Sequence, residues 1–149
     1  MSTQKIQLAI NAPAADVWRA LTDPAISPAY YYGFEAHIPA VAGAAYSYLM
    51  DGHEVITGTV TDVVEEERLS MTFRGSWAPD VAELPESRVT YVLSDTAMSI
   101  PGLTQLTLIH EGLPEGPTSE NIERGWVLIL SGLKTLLETS APLVPAPTA

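Results

Sequence analysis

Hydrophobic positions along this chain recur with a period of two, then of three to four, then of two again, and finally return to the helical spacing. In residues 3–11, Ile6, Leu8 and Ile10 fall on one face and Gln7, Ala9 and Asn11 on the other, the alternation of a half-buried strand. Asn11-Ala12-Pro13 follows. The Asn11 side chain is suited to accept bonds from the free amides of a first helical turn, and Pro13 suits a first helical position, so a helix is predicted to start here. Val17, Trp18 and Leu21 supply its apolar side, and it ends near Thr22-Asp23-Pro24, because a residue before proline disfavours helical backbone. A short helical turn is expected within 24–32, interrupted at Pro28.

From residue 34 to about 112 the pattern is strand-like. Strands are predicted near 34–38, 44–50, 54–65, 68–74, 86–95 and 103–112. The breaks are Val41-Ala42-Gly43, Asp51-Gly52, Glu66-Glu67, the long Gly75–Ser87 segment and Ser99–Gly102. Asp51-Gly52 is a two-residue hairpin signal, since both types tolerate positive φ, and strands joined this tightly run antiparallel. Leu69, Met71 and Phe73 oppose Ser70, Thr72 and Arg74; Val89, Tyr91 and Leu93 oppose Arg88, Thr90 and Ser94; Leu106, Leu108 and His110 oppose Thr107 and Ile109. One face of the sheet is therefore dry and the other largely wet.

The last element, residues 118–139, opens on Thr118-Ser119-Glu120, a hydroxyl cap followed by an acid that suits the positive end of a helix. Ile122, Trp126, Ile129, Leu133 and Leu136 recur at helical spacing, joined by Leu130 and Leu137. Such a stripe is wide enough to cover the dry face of a curved sheet. The order strand, helix, many strands, long helix defines an α+β class with helices on one side of an antiparallel sheet. One domain is expected over 1–140, with a proline-rich, disordered tail over 141–149.

Composition removes several function classes. The 149 residues carry 18 Asp+Glu against 7 Lys+Arg, a formal charge of −11 that disfavours nucleic acid and anionic membrane surfaces. With no cysteine, disulfides and thiolate chemistry are absent. No segment reads as a leader or a membrane span, so a cytoplasmic protein without membrane insertion is expected. His37, His53 and His110 stand in no metal-ligand spacing, and no nucleophile elbow, phosphate loop or dinucleotide fingerprint occurs; no metal or cofactor is expected.

Several stretches taken in order carry a family likeness. They are Ile10-x-Ala12-Pro13-x-x-x-Val17-Trp18-x-Ala20-Leu21-Thr22-Asp23-Pro24; Gly58-x-Val60-x-x-Val63; Arg68-Leu69-x-Met71-Thr72-Phe73; Ser87-Arg88-Val89-Thr90-Tyr91; Thr107-Leu108-x-His110-Glu111-Gly112-Leu113; and Gly125-Trp126-x-x-x-Leu130-x-x-Leu133-Lys134. Over about residues 5–139 the chain resembles the SRPBCC superfamily, in the branch named after the C-terminal domain of the heat-shock-protein-90 ATPase activator. The resemblance implies a START-like helix-grip fold, as in the birch-pollen allergen: a curved antiparallel sheet wrapped around a long C-terminal helix, with a cavity between them. Relatives of this kind bind lipids, sterols, plant hormones or polyketides, and some are cyclases or aromatases. Where many bacterial relatives have tryptophan pairs after the Thr-Asp-Pro motif, this chain has Tyr30-Tyr31-Tyr32-Gly33.

The residues expected to line such a cavity are Tyr30, Tyr32, Tyr46, Tyr48 and Tyr91, whose rings offer apolar area with one polar tip, together with Met71, Phe73, Leu108, Trp126, Ile129 and Leu130. Trp77, a large ring in a long loop, is a candidate lid. His110 is the one imidazole on the dry face and the candidate catalytic base; ordinary core packing is the alternative for it and for each of these rings. Three functions compete. The leading one is binding of a small hydrophobic or aromatic ligand. The second is a cyclase- or aromatase-like enzyme in which His110 works with Tyr48 or Tyr91. The third is an interaction module, a homodimer or a partner of a heat-shock ATPase, docking through Thr72, Arg74, Thr90, Val92, Thr107 and Ile109.

Overall fold

The computed structural model describes residues 1–145. Seven strands form one antiparallel sheet: β1 (Ser2–Ile10), β2 (Glu35–His37), β3 (Ala45–Met50), β4 (His53–Val64), β5 (Arg68–Gly75), β6 (Ser87–Asp95) and β7 (Thr104–Leu113). Three helices accompany them: α1 (Ala14–Thr22), the single-turn α2 (Pro79–Ala82) and α3 (Pro117–Thr139), with a 3-10 turn at Ser27–Ala29. The strand order is β1-β7-β6-β5-β4-β3-β2, so β7 returns to pair with β1 and the remaining strands follow as a meander. This is the helix-grip arrangement, a curved sheet holding α3.

Register follows from which face must be dry. Ile6 opposes Leu108 and Leu8 opposes Leu106 across β1 and β7, while Tyr91 of β6 opposes Leu69 of β5 and Leu108 of β7. Slipping any strand by one residue would turn these apolar side chains into water, so register and burial enforce one another. Irregularities at Tyr48/Leu49 and at Val60/Asp62 interrupt the ladders of β3, β4 and β5, where an extra residue bends the sheet. At Asp51 and Gly52 φ is +50° and +81°, and the hairpin closes in two residues as its sequence predicts. On the outer face the Ser70 and Thr90 hydroxyls bond each other at 3.0 Å and the Gln7 amide donates to Thr107 Oγ1 at 3.1 Å, so part of that face buries its hydroxyls in cross-strand bonds.

Helix α3 lays Ile122, Trp126, Ile129, Leu130 and Leu133 onto the dry face. Both expected side-chain caps are replaced. Asn11 does not cap α1, whose first turn follows an extended Pro13; the Asn11 backbone N–H instead donates to the Glu138 carboxylate of α3 at 2.7 Å. At α3, Gly116 occupies the cap position at φ +141° and Pro117 begins the helix, because proline's fixed φ favours the first turn and its missing N–H would have been unpaired there. The Thr118 and Ser119 hydroxyls are thereby freed, one for Asp80 and one for the Pro114 carbonyl.

No described helix is long and apolar enough to cross a membrane. Residues 141–145 form neither helix nor strand, and the remainder of the expected tail, 146–149, lies outside the described residues.

Candidate functional site

The space between sheet and helix is mostly filled. Tyr31 packs on Tyr48 with ring centroids 4.7 Å apart, Tyr91 meets Trp126 at 6.3 Å, and Met71, Leu108 and Leu130 are buried around them. Tyr30 donates its hydroxyl to the Ala20 carbonyl at 2.6 Å, and Tyr46 donates to the Thr72 carbonyl. Burial, aided by the neighbouring Tyr48, holds the phenols of Tyr30, Tyr31 and Tyr91 well above their usual range; Tyr46 and Tyr48 are raised as well, chiefly by burial. These phenols stay protonated and act as hydrogen-bond donors or as apolar bulk.

An open cleft of about 400 Å³ remains at one end. Thr118, Asn121, Ile122, Gly125, Trp126 and Ile129 of α3 form its longest wall. Tyr31, Tyr32 and Phe34 form the second, Phe73 of β5 the floor, and Trp77, Ala78, Asp80 and Val81, leading into α2, the third side.

Local backbone chemistry explains this shape. Tyr32 and Gly33 both take positive φ, +51° and +79°, in a tight reversal that carries the Tyr32 hydroxyl to 3.4 Å from the Gly125 carbonyl. Gly125 eases that approach, since a Cβ there would lie 3.2 Å from the hydroxyl and push it back slightly. At the end of β5 a Cβ on Gly75 would meet the Trp77 ring at 2.4 Å, so the bare backbone lets the indole fold back edge-on to Phe73, 6.1 Å between centroids. Trp77 and Tyr32 remain 41% and 50% exposed, and they form the lips of the cleft. The flap is tied to α3 by the Thr118 hydroxyl, which donates to Asp80 Oδ2 at 3.0 Å.

His110 lies behind the wall. It is fully buried on the dry face, as its alternation predicts, but it is bonded to the back of Trp126 and is not itself part of the cleft lining. The Trp126 indole N–H donates to His110 Nδ1 at 2.9 Å, and since an indole nitrogen only donates, Nδ1 must be unprotonated. The ring proton therefore sits on Nε2 and is donated to Ser87 Oγ at 2.8 Å; the Ser87 hydroxyl in turn points to the Phe73 carbonyl at 3.4 Å. Burial lowers the His110 pKa from 6.5 to about 4, in keeping with a neutral ring. Both nitrogens are committed. Neither Tyr48 nor Tyr91, its expected partners in catalysis, is bonded to it.

Of the thirteen side chains expected at a ligand site, the cleft brings together Tyr32, Phe73, Trp77, Trp126 and Ile129. Tyr30, Tyr46, Tyr48, Met71, Tyr91, Leu108, His110 and Leu130 belong to the packed interior instead, because large side chains from sheet and helix meet and fill the middle of the grip. The cleft also uses Tyr31, from the tyrosine run at 30–32, and Phe34, Asp80, Val81, Thr118, Asn121 and Ile122, which sequence reasoning did not assign. Asp80 reads in the chain as one more surface acid, and only its contact with Thr118, 38 positions away, reveals its place. Among the described residues, no three His, Asp or Glu side chains converge to hold a metal ion.

The sequence pattern of the family described as "Activator of Hsp90 ATPase homolog 1-like protein" matches residues 11–138. No curated protein matches in sequence. Among solved structures, a Chromobacterium violaceum protein is 27% identical, with 91% of this chain and 96% of that chain covered and a TM-score of 0.68. DynU16, a protein in the dynemicin biosynthetic locus, is 25% identical with a TM-score of 0.72; 95% of this chain matches 49% of DynU16, about half its length. An HSP90 activator from Plasmodium falciparum has the same fold at a TM-score of 0.75 and 19% identity, with 93% and 97% covered.

Proposed function

The chain belongs to the Activator of Hsp90 ATPase homolog 1-like family, and on that premise we propose that it binds a small, largely apolar molecule in the cleft between α3, the Tyr31–Phe34 turn and the Trp77–Val81 flap. One observation carries this reading: a packed interior stops at an aromatic-walled opening of about 400 Å³, inside the range of small-molecule sites. Side chains that could have filled it, Trp77 and Tyr32, stand at the lips half exposed. Exposing two such rings costs apolar burial, and a bound molecule restores it.

Binding without turnover fits the lining better than cyclase-like catalysis. The lining offers one carboxylate, Asp80, and no histidine or lysine, while the His110 ring is spent on holding Trp126. The relative in a biosynthetic locus keeps small-molecule chemistry in view, but its identity to this chain is 25%. The family's name points to a heat-shock ATPase as a partner; that association rests on the name, whereas the cleft is a property of these residues.

Native mass spectrometry of the protein incubated with lipid and aromatic compound libraries tests the reading. The expected result is one-to-one adducts that disappear in a Gly125→Leu variant, whose new side chain would enter the cleft. Adducts that persist in that variant, or none from any library, would sink it.

A further inference from the structure

We infer that the molecule held in this cleft carries a positive charge: a protonated amine or quaternary ammonium on an aromatic or alkyl body, its cationic end beside Asp80. The inference rests on the cleft being a binding site and adds the chemistry of its occupant. Among the described residues Asp80 is the one Asp, Glu, Lys, Arg or His that lines the cleft. It has no ion-pair partner in the described structure, and Thr118 engages its Oδ2, leaving Oδ1 for a ligand. The nearest cation along α3, Arg124, donates its guanidinium to Asn121 Oδ1 at 3.0 Å and is not part of the lining.

The aromatic walls point the same way. Phe73 and Trp77 meet at 72°, and Tyr31 and Trp126 at 85°, so these pairs of lining rings are not stacked face to face on one another. A cation is attracted to an aromatic ring face within about 6 Å, most strongly to tryptophan, and the lining holds both Trp77 and Trp126. One element opposes the assignment. The first turn of α3 reaches the cleft at Thr118, and a helix N-terminus carries roughly half a positive charge. Asp80 on the rim and Glu120 in that first turn each bring a full negative charge, and the chain as a whole carries −11, so the balance favours cations. A carboxylate ligand would meet Asp80 with no cationic side chain to receive it.

Three probes sharing one apolar body separate this inference from the reading beneath it: naphthylmethyl-trimethylammonium, naphthylethanol and naphthylacetate, titrated by calorimetry into the wild type and Asp80→Asn. The wild type should bind the cation at least about tenfold more tightly than the anion, with the alcohol between. Asp80→Asn should remove most of that preference, lowering the cation's affinity by a larger factor than the alcohol's, since asparagine can still accept from Thr118. If the alcohol binds but the anion equals or exceeds the cation, or the preference survives Asp80→Asn, the charge assignment is wrong and the cleft remains a site. If none of the three binds, both readings fall.

Discussion

Trp126 and His110 are joined by a buried hydrogen bond of 2.9 Å, from the indole N–H to Nδ1, and this bond couples the wall of the cleft to the interior of the sheet. Trp126 faces the cleft and also touches Tyr31 and Tyr91. His110 fixes its orientation, the indole N–H in turn fixes the tautomer of His110, and Ser87 Oγ accepts the remaining ring proton.

Replacing His110 by Ala removes the acceptor of the buried Trp126 indole N–H and leaves a void between Phe73 and Trp126. The expected loss is about 3 kcal/mol of stability, combining an unsatisfied donor with a cavity. Urea unfolding checks it; a loss below about 1 kcal/mol would show that the Trp126–His110 bond does not hold the wall.

The same ring sets a pH dependence. The folded pKa is depressed to about 4 from an ordinary 6.5, so between these values the unfolded chain binds a proton that the folded chain refuses. His110 thus contributes stability that is present in full above pH 6.5 and is lost as pH falls toward 4, on the order of 3 kcal/mol in all. Stability measured by denaturant from pH 7 to pH 4 should fall more steeply in the wild type than in His110→Gln. Equal slopes would mean that the ring titrates normally.

Tyr30 and Tyr32 form a contrasting pair. Tyr30 donates to a buried carbonyl at 2.6 Å, and Tyr30→Phe should cost about 1 kcal/mol. Tyr32 reaches Gly125 at 3.4 Å from a half-exposed position, so Tyr32→Phe should change stability by no more than a few tenths of a kcal/mol. Thermal or urea unfolding distinguishes the two; equal losses would contradict the burial on which the site's boundaries rest.

Gly125→Leu should keep the fold and close the cleft. Leucine favours a helix interior over glycine by up to about 1 kcal/mol, which offsets the displacement of the Tyr32 hydroxyl. Stability within about 1 kcal/mol of wild type, with naphthylethanol affinity reduced at least about tenfold, is the expected pair of results in unfolding and calorimetry.

The sequence makes the scaffold legible where local rules act alone. Alternation around Leu69, Met71 and Phe73, the Asp51-Gly52 turn and the Ile122–Trp126–Ile129–Leu133 stripe each state their structure within a few residues. It misleads where two local signals compete: Pro117 fixes the start of α3 and so displaces Thr118 and Ser119 from capping. The four-residue α2 is too short to show a period, and only Pro79 followed by Asp80 hints at it. The site itself is the least legible part. Tyr31 lines the cleft and neighbouring Tyr30 does not, a difference set by how the chain crosses α3 at Gly125 and Gly132, which no pattern along the strand text encodes.

Trp77 and Trp126 line the cleft, whereas Trp18 is buried on α1, away from it, so the three indole N–H signals report ligand binding with an internal reference. In a nitrogen-15 NMR titration with naphthylethanol, the Trp77 and Trp126 signals should shift together with the amides of residues 118–129 of α3, while Trp18 stays still. No shift at saturating probe, or shifts confined to the outer face of the sheet at Thr72, Thr90 and Thr107, would contradict the cleft as the binding site.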